Sequence, residues 1–241
     1  MSSESPPTLE TPECEKLLDV LLTQATTEKK QRKAVRNYCM ALLMLDAGLR
    51  VGELMALRLC DLYFNREPVS SIFIQPHMTK NKVAHSIPVS GRLAKALTSF
   101  FNAWHFLDPD IAKQFAFCRP DSDKAITTRQ VERIICAAGW KALGRPVHPH
   151  VLRHTFASRL MRVTNSSTVQ GMLGHKYLSS TQIYCHPNED DKRQAIESAS
   201  AQPLPSQPNE QQPQDQSQPV EHQAPTPLPA SPLKSRRPSH W

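Results

Sequence analysis

Apolar residues recur at helical spacing over most of the chain up to about residue 184. Cys14, Leu17, Leu18, Leu21 and Leu22 share one face of a segment opened by Thr11-Pro12, where threonine reads as the N-cap and proline as the first helical residue. This helix is expected to end in a basic run, Lys29-Lys30-Gln31-Arg32-Lys33, which is either a solvated terminus or a phosphate contact. Val35, Tyr38, Leu42 and Leu45 mark a buried helix over residues 34–47, stopped by Gly48 as its C′ glycine. A helix then restarts through Val51-Gly52-Glu53-Leu54 toward Arg58. Arg50 therefore stands at a helix junction, where the free N–H groups of a helix start attract anions.

The period shortens to two over residues 70–75 and again over 83–89. The polar tip Met78-Thr79-Lys80-Asn81-Lys82 between them makes this a hairpin. Leu93, Leu97, Phe100, Phe101 and Trp104 define a core helix over 91–107. Thr128 is read as the cap of another, running to about Leu143 and burying Val131, Ile134 and Ile135. Gly144-Arg145-Pro146 breaks the chain, and three short helices follow at about 151–161, 168–173 and 179–184. The predicted class is α+β, mostly α, with one small antiparallel hairpin and no internal repeat.

Composition changes the picture at the ends. Ten of the 21 prolines fall between Pro203 and Pro238, among Gln and Ser and without a glycine, so this stretch cannot bury enough surface to offset chain entropy. The expected organisation is a flexible N-terminus over 1–10, one domain over 11–198, and a disordered Pro/Gln-rich tail over 199–241. The tail carries Lys234, Arg236 and Arg237 against Glu210, Asp215 and Glu221, so the net charge of +7 resides in the folded part. A basic body favours a polyanion. No apolar run approaches the ~20 residues of a membrane span and no secretory signal opens the chain, which favours nucleic acid over membrane. The six cysteines are scattered without a C-x-x-C pair and read as reduced thiols of a cytoplasm.

Candidate chemistry concentrates between His148 and Tyr184. His150 and Arg153, three apart, fall on one helix face and converge on an anion; His154 lies one step round and reads as a packed or hydrogen-bonded histidine. A zinc pair of His150 and His154 would want a glutamate between them, but Val151, Leu152 and Arg153 stand there. Neither the G-x-S-x-G elbow of a serine hydrolase nor a G-x-x-x-x-G-K phosphate loop occurs. Two arginines, a lysine, two histidines and a tyrosine remain, with no carboxylate cluster for Mg²⁺. Such a set suits metal-free attack on a phosphodiester, with the cations neutralising the phosphate oxygens. The phenol of Tyr184 would be the nucleophile. With an ordinary pKa near ~10 it needs a base or nearby positive charge to lose its proton.

Five motifs, in order, resemble those of the tyrosine recombinases of the phage integrase family. Gly48-Leu49-Arg50-Val51-Gly52-Glu53-Leu54 is similar to the first arginine box, and Thr79-Lys80 ahead of Ile87-Pro88 to the lysine turn. His150-Val151-Leu152-Arg153-His154, Leu173-Gly174-His175 and Thr181-Gln182-Ile183-Tyr184 resemble the second box, the third box and the nucleophile motif. The resemblance covers about Thr11 to Ile196. It implies that Arg50, Arg153 and His175 hold the scissile phosphate and that Glu53 supports Arg50 from behind. Lys80 protonates the departing 5′ oxygen, with Lys82 as the rival lysine, and His150 acts as general base or hydrogen-bonds the phosphate. Tyr184 forms a 3′-phosphotyrosyl bond, which another strand reverses without metal, cofactor or ATP.

The implied partner is double-stranded DNA with paired inverted half-sites, bound by a homotetramer in the synaptic complex. The free chain would be a monomer or weak dimer, accessory DNA-bending proteins are further expected partners, and the setting is the bacterial cytoplasm at the nucleoid. The family's N-terminal core-binding domain has no counterpart in the thirty or so residues before the catalytic motifs. Together with Arg36-Asn37-Tyr38-Cys39 and His148-Pro149-His150, this resembles the short fimbrial phase-variation recombinases. Two rival activities share the constellation: strand relaxation of the type IB topoisomerase kind, and DNA-binding regulation by an inactive descendant.

Overall fold

The computed structural model describes residues 6–23, 27–79, 81–104, 114–119, 122–177, 179–182, 184, 193 and 197. Packing begins at Leu9, within the stretch expected to be loose. Its side chain is buried, and its N–H donates to Thr155 Oγ1 at 2.9 Å. Helix α1 (Thr11–Leu22) is capped by Glu10 rather than Thr11: the Glu10 N–H donates to Glu13 Oε2 at 3.0 Å, and Thr11-Pro12 fill the first two helical positions. Cys14, Leu17, Leu18 and Leu21 turn inward as the period predicts, whereas Leu22 is 39% exposed.

Helix α2 (Glu28–Asp46) starts earlier than its apolar period shows. Thr27 accepts from the Lys30 N–H, and Glu28 supplies the negative charge that a helix N-terminus favours. The basic run is thus the opening of α2, not the end of α1, and its Arg32 pairs with Glu28 at 2.6 Å. From Cys39 to Leu45 every side chain of α2 is buried, because the helix packs against α1, α5 (Gly91–Trp104) and α7 (Pro149–Met161). Gly48 ends the segment at φ +62°; a Cβ there would sit 2.4 Å from the Phe156 ring, so the turn requires glycine. Helices α3 (Val51–Ala56) and α4 (Leu59–Leu62) follow.

Strands β1 (Tyr63–Phe64) and β2 (Glu67–Pro68) form a hairpin that the sequence pattern missed. Its two turn residues, Asn65 and Arg66, take φ of +49° and +67° without the usual glycine. The predicted hairpin is present as β3 (Ser71–Ile74) and β4 (His85–Pro88), antiparallel with Ile74 opposite His85. Alternation buries Ile72, Ile74, His85 and Ile87. A third hairpin, also unpredicted, pairs β5 (Cys118–Arg119) with β6 (Ser122–Ala125).

Helix α6 (Thr128–Leu143) is capped by Thr127, one residue before the expected Thr128. The Thr127 hydroxyl accepts from Gln130 N, and the Thr127 N–H donates to Gln130 Oε1 at 2.9 Å. Helix α7 starts two residues early, with Pro149 at its first position, α8 (Ser166–Leu173) is capped by Asn165, and α9 (Ser179–Gln182) stops before Tyr184. The class is α+β and mostly α, as the period argument predicts. A small second apolar cluster of Phe156, Ala157, Val169, Leu173 and Tyr184 gathers the C-terminal helices. Contacts divide the chain after Asp191, and the expected tail over 199–241 lies outside the described residues. No helix among the described residues is long and apolar enough to cross a membrane.

Candidate active site

Arg50 occupies the N-cap of α3 in extended conformation, set there by the left-handed Gly48 turn. Glu53, at the third helical position, is 1% exposed and reaches back. Its Oε2 accepts from the Arg50 N–H at 2.8 Å and its Oε1 from Arg50 Nη1 at 2.6 Å. Arg153 comes from the buried face of α7 and ties three segments together. Its Nη1 donates to the Gly48 carbonyl, while its Nη2 donates to Leu173 O at 2.8 Å and to His175 Nε2 at 3.2 Å. Glu53 Oε2 lies 3.6 Å from Arg153 Nη1, so one carboxylate faces two guanidinium groups. Burial and then the Arg50 cation push Arg153 down to about 10, with Glu53 opposing; it stays charged at neutral pH. Among the described residues the pocket therefore carries one positive charge in excess.

His175 is the first residue after Gly174, whose φ of +59° closes α8. Gln170 fixes its backbone from both sides, accepting from the His175 N–H and donating Nε2–H to the His175 carbonyl, each at 3.1 Å. Since Arg153 is only a donor, His175 Nε2 must be the acceptor; its Nδ1–H then donates to Thr181 Oγ1 at 3.0 Å. Burial, reinforced by Arg153 and Arg50, lowers His175 to about 4, so the ring is neutral at pH 7.

Tyr184 is 7% exposed, its ring stacked beside His175 with centroids 6.5 Å apart. Its hydroxyl lies 2.7 Å from His154 Nδ1. Burial raises the phenol against the pull of Arg153 and Arg50. Burial also lowers His154, helped by His150 and Arg153, so a neutral imidazole meets a protonated phenol. The arrangement separates the two histidines of α7, and His154 is hydrogen-bonded as expected. His150 is exposed, with its ring centroid 6.3 Å from that of His154, and it does not share the inward direction of Arg153. His154 is the imidazole that meets the tyrosine.

Lys80 lies outside the described residues; Lys82, two positions on, is exposed with φ +52°. Three groups escaped the sequence reading. Thr181 is fully buried beneath His175, one helical turn before Tyr184. Gln170 clamps the third box, and His85 packs under Gly174, where a Cβ would stand 2.5 Å from His85 Nδ1. His85 had a visible signal, since it occupies an inward strand position shared with Ile74 and Ile87. No three His, Cys, Asp or Glu side chains among the described residues gather as a metal site would require.

A mostly helical body that brings two arginines, two histidines and a tyrosine from four separate segments around one pocket defines the catalytic domain of a tyrosine recombinase. The chain belongs to the phage integrase family, whose model matches residues 8–191. It is 34% identical over 166 residues to a tyrosine recombinase of Pseudothermotoga lettingae, covering 68% of this chain and 54% of that protein. Against tyrosine recombinase XerA of Pyrococcus furiosus it is 30% identical over 196 residues, covering 79% and 65%. The crystal structure of a XerA recombinase superposes with a TM-score of 0.62 at 27% identity, covering 82% of this chain and 66% of that one. The chain spans about half the length of several of the curated relatives it matches.

Proposed function

We propose that this chain is a site-specific DNA recombinase that cuts and rejoins strands through a 3′-phosphotyrosyl bond at Tyr184. The observation that carries the reading is the charge of the pocket. Arg50 and Arg153 share a single carboxylate, Glu53, which leaves one positive charge whose field acts on the buried phenol of Tyr184. A phosphodiester carries the one negative charge that balances it.

In this mechanism the scissile phosphate takes the donors of Arg50 and Arg153 and displaces the Arg153–His175 contact. His175 then exchanges tautomer, because Thr181 can donate as well as accept: its hydroxyl donates to Nδ1 and frees Nε2–H for a phosphate oxygen. His150, exposed at the mouth of the site, adds a contact to the phosphate. Tyr184 Oη attacks phosphorus, the P–O5′ bond breaks, and Lys80 at the β3–β4 tip protonates the leaving oxygen. Attack by another strand's 5′ hydroxyl runs the steps backward, so no ATP, metal or cofactor is consumed. The partner is duplex DNA with paired inverted half-sites, on which four copies meet.

The test is covalent trapping. Duplexes drawn from DNA flanking the encoding gene, nicked so that the cleaved strand diffuses away, should yield a DNA-linked band in denaturing gels. Tyr184→Phe should abolish it. Lys80→Ala should reduce cleavage by about 10²-fold or more, as loss of a general acid does; loss with Lys82→Ala alone would move the acid to that residue. Absence of any covalent product with the unaltered protein across the whole flanking region would overturn the reading.

A further inference from the structure

The proton of Tyr184 needs an acceptor, and the structure brings only one imidazole within hydrogen-bond reach of the phenol among the described residues. We propose that His154, not the exposed His150, is the base that takes the Tyr184 proton during attack on the scissile phosphate. This rests on the recombinase reading and assigns a catalytic role to the last residue of the second box.

Geometry supports it first. Tyr184 Oη and His154 Nδ1 stand 2.7 Å apart, within the 2.6–3.2 Å range of a working base (about these limits). Both groups are held in place. His154 is on the same helix as Arg153, and Tyr184 sits in the small apolar cluster with Phe156, Val169 and Leu173, its N–H bonded to Thr181 O at 3.1 Å. His150 has its ring centroid 6.3 Å from that of His154, on the exposed side.

Electrostatics then makes the base conditional on substrate. Among the described residues, the charged or titratable groups facing His154 are His150 and Arg153 from its own helix, His175 after α8, and Tyr184 itself. Without DNA these surroundings, together with burial, keep the imidazole neutral and the phenol protonated. No phenolate forms at rest. An anionic phosphate seated on Arg50 and Arg153 offsets the positive field that disfavours an imidazolium, and so raises the basicity of His154 when the nucleophile is required. The step balances: the Tyr184 O–H bond breaks as Oη–P forms, the proton goes to His154 Nδ1, the P–O5′ bond breaks, and the leaving oxygen takes a proton from the acid assigned to Lys80. In the rejoining direction His154 returns the proton to the tyrosine.

The experiment compares His154→Gln, His154→Ala and His150→Gln in single-turnover cleavage of the nicked duplex trapped above, across pH. Glutamine keeps an acceptor for the phenol but cannot take its proton. His154→Gln should cut the rate by about 10²-fold or more with DNA binding retained, and remove the limb on which the unaltered enzyme gains rate as pH rises. Imidazole added to His154→Ala should restore cleavage in proportion to its neutral form. A rate for His154→Gln at or above that of the unaltered protein would overturn the proposal and leave the contact as a resting latch. So would loss of the pH limb in His150→Gln alone. A DNA-free measurement guards against misfolded variants: in ¹⁵N-histidine NMR of the intact protein, His154 Nδ1 should be unprotonated and shift in Tyr184→Phe. A protonated Nδ1 would equally overturn the assignment. Failure of the unaltered protein to cleave at all would count against the recombinase reading, while the NMR result still decides the hydrogen bond.

Discussion

Thr181 shows how small a group this site depends on. Its hydroxyl is the sole contact of His175 Nδ1 among the described residues, and only a hydroxyl can both accept from that nitrogen at rest and donate to it when phosphate arrives. Thr181→Val keeps the shape and removes the exchange. Losing one buried hydrogen bond costs about 1–3 kcal/mol, so single-turnover cleavage should drop about 10- to 100-fold with little change in DNA affinity. A wild-type rate would refute the tautomer exchange. The imidazoles also set a pH dependence of stability. His175 falls to about 4 in the folded protein, and His85 and His154 are lowered too, all three chiefly by burial. The unfolded chain, with histidines near the usual 6.5, therefore binds more protons between these values. Folding stability is fully present above about pH 6.5 and is lost as pH falls toward 4. Thermal melting should show a falling Tm over that window, and the fall should be shallower in His85→Leu.

Among the elements, those that bury a broad apolar face were legible: α2, α5 and α6 fall where the 3.6 period places them, and β3–β4 where the period becomes two. Several helix starts were not, because capping overrides apolar pattern. Glu10, Thr27 and Thr127 each begin a helix before its first inward residue, and this is why the basic run was given to the wrong helix. The β1–β2 turn escaped for a related reason, since Asn65-Arg66 adopts positive φ without glycine. Within the site, residues carrying rare chemistry could be read singly, but which of His150 and His154 faces Tyr184 depends on how α7 is rotated against the end of α9. Gly174 is the element-scale hinge. It is left-handed and lies against His85, joining the β4 strand to the third box. Gly174→Ala should cost at least the ~1–2 kcal/mol of a left-handed non-glycine residue, and at about 2–4 °C per kcal/mol the Tm should fall by several degrees. An unchanged melting curve would show that His85 moves aside freely.

At the scale of the molecule, binding should be dominated by charge. The excess of +7 sits entirely before residue 199, and in the proposed complex the active-site pocket would neutralise a single phosphate through Arg50 and Arg153, so further contacts would come from basic side chains on the surface. Each phosphate neutralised contributes about −0.9 to the slope of log affinity against log salt, and six or more contacts weaken binding about 10³-fold or more between 50 and 200 mM salt. On the proposed paired half-sites, a second copy would bind at high effective concentration and recover part of that loss. Titrating this chain against duplexes with one half-site or two should therefore give a steep salt slope for both and tighter binding for the pair. Arg50→Gln is the internal check. It keeps a hydrogen-bonding partner for Glu53 but removes one cation, so the slope should become shallower by about 0.9 while affinity falls equally for all sequences. A slope unchanged by that substitution would mean that Arg50 does not touch phosphate in the bound complex, and the charge argument for the site would fail with it.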